Sequence, residues 1–239
     1  MKGKNFTEIY RKKTKTALWV VSNCRTRSRR EQFVRVLREH IDVDILGRCS
    51  NRSFSVCGHT HGLSCVPQVV ENYKFYLALE NHLCKDYVTE KYFNLLAGDV
   101  IPVVRNGAQD FSLMTPSRYT YVNAFNFLTV SNLAKFMEAL GNNEEEYIKY
   151  LKEINRYKGW HTGNPPNGGL CSLCKLLHTR KPSDVKMYED MDQWWNANTC
   201  LNPHPVDNSE LANVAWNRLN NHTEISPLEN KGGINFLKV

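Results

Sequence analysis

FYLALENHLCKDYVTEKYFNLLAGDVIPVV, residues 75 to 104, has the layout of a strand, a helix and a returning strand. Phe75 to Leu79 is an apolar run with aromatics and no turn former, which suits a buried parallel strand better than a half-exposed alternating one. Glu80, Asn81 and His82 follow at once. Asp86 is a cap for a helix whose apolar side carries Val88, Tyr92, Leu95 and Leu96, and Gly98 stands where helices commonly end in a left-handed residue. Val100 to Val104 is the return strand.

In open α/β sheets, ligands bind outside the carboxyl ends of the strands, which is where Glu80, Asn81, Glu90 and Lys91 fall. A helix N-terminus offers unbonded N–H groups to a phosphate, and Lys91 in the first turns adds a full charge. The same layout also describes an ordinary βαβ support with a solvated helix start.

Upstream, Ala17 to Val21 reads as a buried strand with Ser22 and Asn23 at its carboxyl end, in parallel with Glu80 and Asn81. A helix over Arg30 to His40 carries Phe33, Val34, Val36 and Leu37, and Val43 to Leu46 is the next strand. Arg48 to Pro67 reads as a loop insert holding Cys49, Cys57, Cys65, His59 and His61, whose spacing favours disulfides or thiols over zinc. Downstream, Arg105 to Ser117 is turn-rich and Tyr119 to Val122 is a short strand. Ser131 caps one amphipathic helix with Leu133, Phe136, Met137 and Leu140, and a second spans Glu144 to Tyr157. Alternating strands and helices from Ala17 to Tyr157 predict a parallel α/β domain.

The expected organisation is a flexible basic lead-in over 1–16, a Rossmann-like domain over 17–160, and a Cys-, Trp- and Asn-rich extension over 161–239 with Trp194, Trp195 and Trp216. Within the extension, Cys171-Ser-Leu-Cys174 admits a redox pair, half a zinc site or a small-ring disulfide; the absence of a second such pair and of a leading strand favours the disulfide. Two Asp-x-Asp triplets, Asp42 to Asp44 and Asp190 to Asp192, are discounted as metal ligands, so no metal site is assigned.

The 239 residues are 41% hydrophobic and 23% charged, a globular composition that excludes disorder throughout. The excess of 31 Lys and Arg over 24 Asp and Glu gives +7, concentrated between Lys2 and Arg30, compatible with an anionic ligand. No apolar run approaches the roughly 18 residues of a membrane span, and no signal peptide is evident. Eight cysteines and sequons at Asn5, Asn51 and Asn221 nevertheless lean toward a secretory compartment, which a missing N-terminal piece would reconcile.

With these residues in place, the chain resembles the catalytic C-terminal half of the α1,3-fucosyltransferases, glycosyltransferase family 10. The resemblance rests on Glu80-Asn81, Asp86 to Lys91, Ala97-Gly98 and Pro102 to Val104, supported by Trp19 to Cys24, Arg30 and the Cys171/Cys174 pair, and covers about Ala17 to Leu177. It implies the donor-binding half of a GT-B enzyme that transfers L-fucose from GDP-fucose, with inversion, to the 3-hydroxyl of N-acetylglucosamine in glycoprotein or glycolipid glycans. Lys91, Arg30 and Glu80 are the implied catalytic residues, the two cations serving the diphosphate; Ser22, Asn23, Asn81, Tyr87 and Glu90 would complete the nucleotide pocket. No cofactor is required, manganese is at most a stimulant, and no nucleic acid is a partner. The full-length form is expected in the Golgi as a type II membrane protein, its anchor absent from this chain. The acceptor-binding half that carries the family's general base is also missing, so a truncated, non-catalytic GDP-sugar-binding protein is the alternative.

Overall fold

The computed structural model describes residues 4–50, 69–107, 111–158, 169–197, 199–201 and 203. The first element is a helix, α1 (Phe6–Lys12), where a flexible lead-in was expected: Asn5 caps it, accepting from the Glu8 N–H at 3.2 Å, while Phe6, Ile9 and Tyr10 pack on the core. Then come β1 (Lys15–Val20), α2 (Arg30–Leu37), β2 (Val43–Leu46) and β3 (Tyr73–Leu79). A two-residue strand β4 (Leu83–Cys84), a one-turn helix α3 (Glu90–Phe93), β5 (Ile101–Arg105) and β6 (Val122–Asn123) complete the central part. Two long helices follow, α4 (Val130–Asn142) and α5 (Glu144–Ile154), and then α6 (Gly169–Thr179), α7 (Met191–Asn196) and β7 (Cys200–Leu201).

Five strands form one wholly parallel sheet in the order β2-β1-β3-β5-β6. Residue alternation along β3 shows why its sequence is apolar throughout. Phe75, Leu77 and Leu79 enter a core layer shared with Phe33 and Leu37 of α2, Leu133 and Met137 of α4, and Tyr147 and Leu151 of α5; Tyr76 and Ala78 enter the opposite layer with Tyr92, Leu95, Phe111 and Tyr121. The Tyr147 hydroxyl donates to the Lys74 carbonyl at 2.5 Å, bolting α5 to β3. The chain order reverses between β1 and β3, so the crevice outside their carboxyl ends is the topological switch point, where ligands of such sheets bind.

Three expected elements take other forms. The helix over Asp86 to Gly98 shrinks to Glu90–Phe93: Thr89 is its N-cap, Asp86 has φ 58°, and Ala97 (φ 64°), not Gly98, adopts the left-handed conformation. The strand over Tyr119 to Val122 is a 3-10 turn, Arg118–Thr120, followed by β6. Cys171 and Cys174 are one turn apart and exposed on α6, and Cys174 is a free thiol 3.7 Å from His178 Nδ1, so the small-ring disulfide is not formed. Disulfides join Cys24 to Cys49 and Cys84 to Cys200; the latter fastens the antiparallel pair β4 and β7. Cys57, Cys65, His59, His61, Asn51, Asn221 and Trp216 lie outside the described residues.

Candidate functional site

At the carboxyl end of β3 the strand's last residue, Leu79, is followed by Glu80, which is 2% exposed. A carboxylate at that depth needs donors on both oxygens. Oε1 accepts from the Thr89 N–H at 2.7 Å and the Thr89 hydroxyl at 2.8 Å; Oε2 accepts from Lys91 Nζ at 3.0 Å. Lys91 also donates to Thr89 Oγ1 at 2.8 Å and Glu90 Oε1 at 3.2 Å. The cluster explains why the helix starts late. Capture of the Thr89 N–H and hydroxyl by Glu80 pulls the chain back to the strand end and delays the first helical turn to Glu90. A helix this short has almost no macrodipole, so the positive charge at the site comes from side chains, correcting the expected phosphate-ready helix start.

Burial alone raises the pKa of Glu90, but the charge of Lys91, with hydrogen bonds from the Glu90 backbone, Lys91 and Thr89, outweighs it and holds the carboxyl below its usual range. The Lys91 side chain is 20% exposed, so its ammonium sits at the rim with a buried anion behind it.

Arg30 opens α2 after Arg29, whose φ is 52°. It is 4% exposed, and burial lowers its pKa. Nη1 donates to the Leu79 carbonyl at 2.7 Å and Nη2 to the Asn23 carbonyl at 3.1 Å, while its guanidinium lies 5.6 Å from the Trp19 ring centroid. Arg30 thus ties the loop after β1 to the end of β3 across the switch point. Its Nε has no hydrogen-bond partner among the described residues and lies 3.9 Å from Glu31 Oε1.

The other candidates surround this core at different depths. Ser22 and Asn23 are exposed on the loop after β1; Asn23 Oδ1 accepts from the Arg25 N–H at 3.4 Å. The Asn81 carbonyl accepts from the Ser28 N–H at 3.0 Å, and its buried Oδ1 has no partner among the described residues. Tyr87 is half-buried, edge-on to His82 at 6.2 Å. No side-chain hydrogen bond among the described residues joins Ser22, Asn81 or Tyr87 to Lys91.

Two contributors were not singled out from sequence. Thr89 is the hub of the Glu80–Lys91 pair, and its place in the Asp-Tyr-Val-Thr-Glu-Lys run was the available signal. Arg105 ends β5 fully buried, between Phe33 at 5.1 Å and Phe125 at 5.3 Å, with Nη1 donating to the Ser28 carbonyl at 2.7 Å and its own carbonyl accepting the Glu80 N–H at 3.3 Å. Burial lowers its pKa to about 10. The signal was an arginine directly continuing an apolar strand. Among the described residues, no group of three His, Cys, Asp or Glu side chains is placed to hold a metal ion. Asp44 of the first Asp-x-Asp triplet is engaged by Lys15 at 2.7 Å and Tyr73 at 2.6 Å.

The family model for glycosyltransferase family 10 (fucosyltransferase), C-terminal part, matches residues 10–194. The chain is 39% identical over 196 residues to the Drosophila melanogaster protein named alpha-(1,3)-fucosyltransferase C, spanning 81% of this chain and 43% of that one. It is 30% identical over 192 residues to human alpha-(1,3)-fucosyltransferase 7, spanning 77% of this chain and 51% of that one. A crystal structure of an alpha1,3-fucosyltransferase with GDP-fucose superposes with a TM-score of 0.53 at 17% identity, over 75% of this chain and 51% of that chain, which establishes the likeness of fold. The chain therefore spans about half the length of the relatives it matches. On the extent of the family match and the identity to these relatives, the chain belongs to glycosyltransferase family 10 and carries the family's C-terminal fucosyltransferase region.

Proposed function

We propose that this chain is the donor half of an α1,3-fucosyltransferase, holding GDP-fucose in the crevice between β1 and β3. The observation that carries the proposal is the Lys91 ammonium at the rim of the switch point, oriented by buried Glu80 and Thr89, with Arg30 bonded to the carbonyl of Leu79 next to Glu80. Family membership supplies the ligand, since one solved structure of the fold is an alpha1,3-fucosyltransferase with GDP-fucose.

Breaking the bond from the fucose anomeric carbon to the diphosphate leaves positive charge on the sugar ring and negative charge on departing GDP. A cation fixed beside that diphosphate stabilises the transition state more than the ground state. Lys91 takes this role by exchanging its Glu90 contact for a phosphate oxygen while Glu80 and Thr89 keep the ammonium in place. Glu80 acts on the reaction by orienting Lys91. Arg30 adds positive charge from beneath and sets the separation of the two loops; each Nη donates to one carbonyl, and its buried Nε has no hydrogen-bond partner among the described residues. Glu90, rim-placed and ionised, is a ribose hydroxyl acceptor; Ser22, Asn23, Asn81 and Tyr87 bound the nucleotide.

Transfer with inversion to the 3-hydroxyl of N-acetylglucosamine further needs a base for the acceptor proton, which we assign to the half of the relatives that this chain does not span. Glycoprotein or glycolipid glycans as acceptors, residence in the Golgi membrane and stimulation by manganese belong to this same reading. Among the described residues, no helix is long and apolar enough to cross a membrane. A second reading that the same crevice allows is a GDP-sugar-binding protein without catalysis. Incubation with radiolabelled GDP-fucose and an N-acetylglucosamine-terminated acceptor separates them. Labelled product supports transfer; saturable GDP-fucose binding without product supports the second reading; absence of both overturns the two together.

A further inference from the structure

A cavity of about 410 Å³ opens at the opposite, amino-terminal ends of β1, β3 and β5, away from the switch-point crevice. Its walls come from α1 with the turn after it, from the 3-10 turn Val70–Asn72 before β3, and from the segment Asn94 to Val100 leading into β5. The volume falls within the range of small-molecule sites, and the donor reading makes no use of it.

Two lining residues carry donors with no acceptor among the described residues. The Lys13 side chain belongs to a residue only 5% exposed, and it donates to the Val70 carbonyl at 3.1 Å and the Glu71 carbonyl at 3.0 Å. An ammonium has three N–H donors, and no carboxylate among the described residues lies within ion-pair distance of this one. Asn94 Nδ2 is buried and has no acceptor among the described residues. The nearby acid Asp99 is already engaged by Lys4 at 2.8 Å and by Asn155 at 3.3 Å. A buried ammonium with no carboxylate within ion-pair distance and a buried amide N–H₂ with no acceptor, both among the described residues, each cost free energy, and both residues line one cavity.

We propose that this cavity is a second ligand site, taking a small molecule that presents a carboxylate or phosphate oxyanion to Lys13 and an acceptor oxygen to Asn94. The remaining lining is mixed: Lys4, paired with Asp99, and Lys12, paired with Glu8, stand with Glu71 around the cavity, while Ile9, Val70, Leu95 and Val100 give an apolar floor for a short carbon skeleton. Burial lowers the Lys13 pKa to about 8, opposed by Asp99 and Glu71 and assisted by Lys4. A bound anion favours the charged form, so binding takes up a proton near pH 8 and fades as pH rises further.

The test titrates the isotopically labelled full chain with inorganic phosphate and, separately, with succinate, following the Lys13 side-chain carbon and Asn94 side-chain amide signals by NMR. Saturable shifts at both residues are expected, the tighter-binding probe identifying the preferred oxyanion, and Asn94→Leu should weaken that binding about fivefold through loss of one hydrogen bond. Lys13→Met should abolish it; because that substitution leaves two carbonyls unbonded, Asn94→Leu serves where it does not fold. The proposal is overturned if neither probe shifts Lys13 saturably, if Asn94→Leu binds as tightly as the unaltered chain, or if shifts are confined to Lys91 and its neighbours.

Discussion

Glu80 and Lys91 form a pair with one buried member and one at the surface, and the asymmetry determines what substitutions do. Glu80→Gln keeps the shape but turns an amide N–H₂ toward either Lys91 or the Thr89 N–H, so a buried donor faces a donor. Urea unfolding should show a loss of about 2 kcal/mol. Lys13 gives a pH signature of opposite origin. Its folded pKa, about 8, lies below the unfolded value near 10.5, so the unfolded chain binds more protons between these limits and stability from this group rises with pH there. Buried Tyr76, Tyr92 and Tyr147, raised by burial, reverse the trend once unfolded tyrosines ionise near pH 10. Denaturation of the unaltered chain and of Lys13→Met should therefore diverge between pH 8 and 10, the unaltered chain gaining relative stability; parallel profiles would refute the assignment. At this scale the sequence exposed the identities Glu80, Glu90 and Lys91 because they stand in one run behind a strand. The links through Thr89 and Arg105 were not legible, since nothing local says that residue 89 folds back on residue 80 or that residue 105 reaches Ser28.

The elements on the sheet were legible from their apolar patterns, and Val43–Leu46 matches its expected span, whereas the segment after β3 was not. A cap at Asp86, an apolar face and Gly98 read as a three-turn helix, yet Glu80 takes Thr89 and the Cys84–Cys200 bridge holds the preceding residues in β4. The first constraint reaches back 9 residues and the second comes from 116 residues downstream, both outside the helical pattern itself. Ala97 bears the cost in a left-handed conformation, about 1–2 kcal/mol for a residue with a Cβ. Ala97→Gly relieves that while adding unfolded-state entropy, and a net gain of about 0.5 kcal/mol is expected in thermal unfolding. Cys84 and Cys200 are separated by 116 residues, a long loop for one bridge to close. Cys200→Ser should lower the unfolding midpoint in non-reducing buffer and expose the segment from α6 to β7 to limited proteolysis, with little effect on digestion of the five-stranded sheet. Helix α6 was missed because its Cys-x-x-Cys drew the reading toward a disulfide, although Leu170, Leu173, Leu176 and Leu177 recur at helical spacing.

For the whole molecule, alternation of strands and helices fixed the parallel class, but the order β2-β1-β3-β5-β6 emerges only from pairing. That order places the ends of β1 and β3 side by side, so Asn23 and Leu79, 56 positions apart, share one guanidinium. The two proposals put a ligand at each end of the sheet. The carboxyl ends carry the cation cluster proposed for GDP-fucose; the amino ends carry the cavity with Lys13 and Asn94. The central claim is that Lys91 at the β1/β3 switch point holds the diphosphate of GDP-fucose. Calorimetric titration of GDP-fucose into the unaltered chain and into Lys91→Met tests it most directly. One saturable site, weakened at least about tenfold by the substitution through loss of a charge-assisted contact, is the predicted result; equal affinity in the two proteins, or no binding to the unaltered chain, would contradict it.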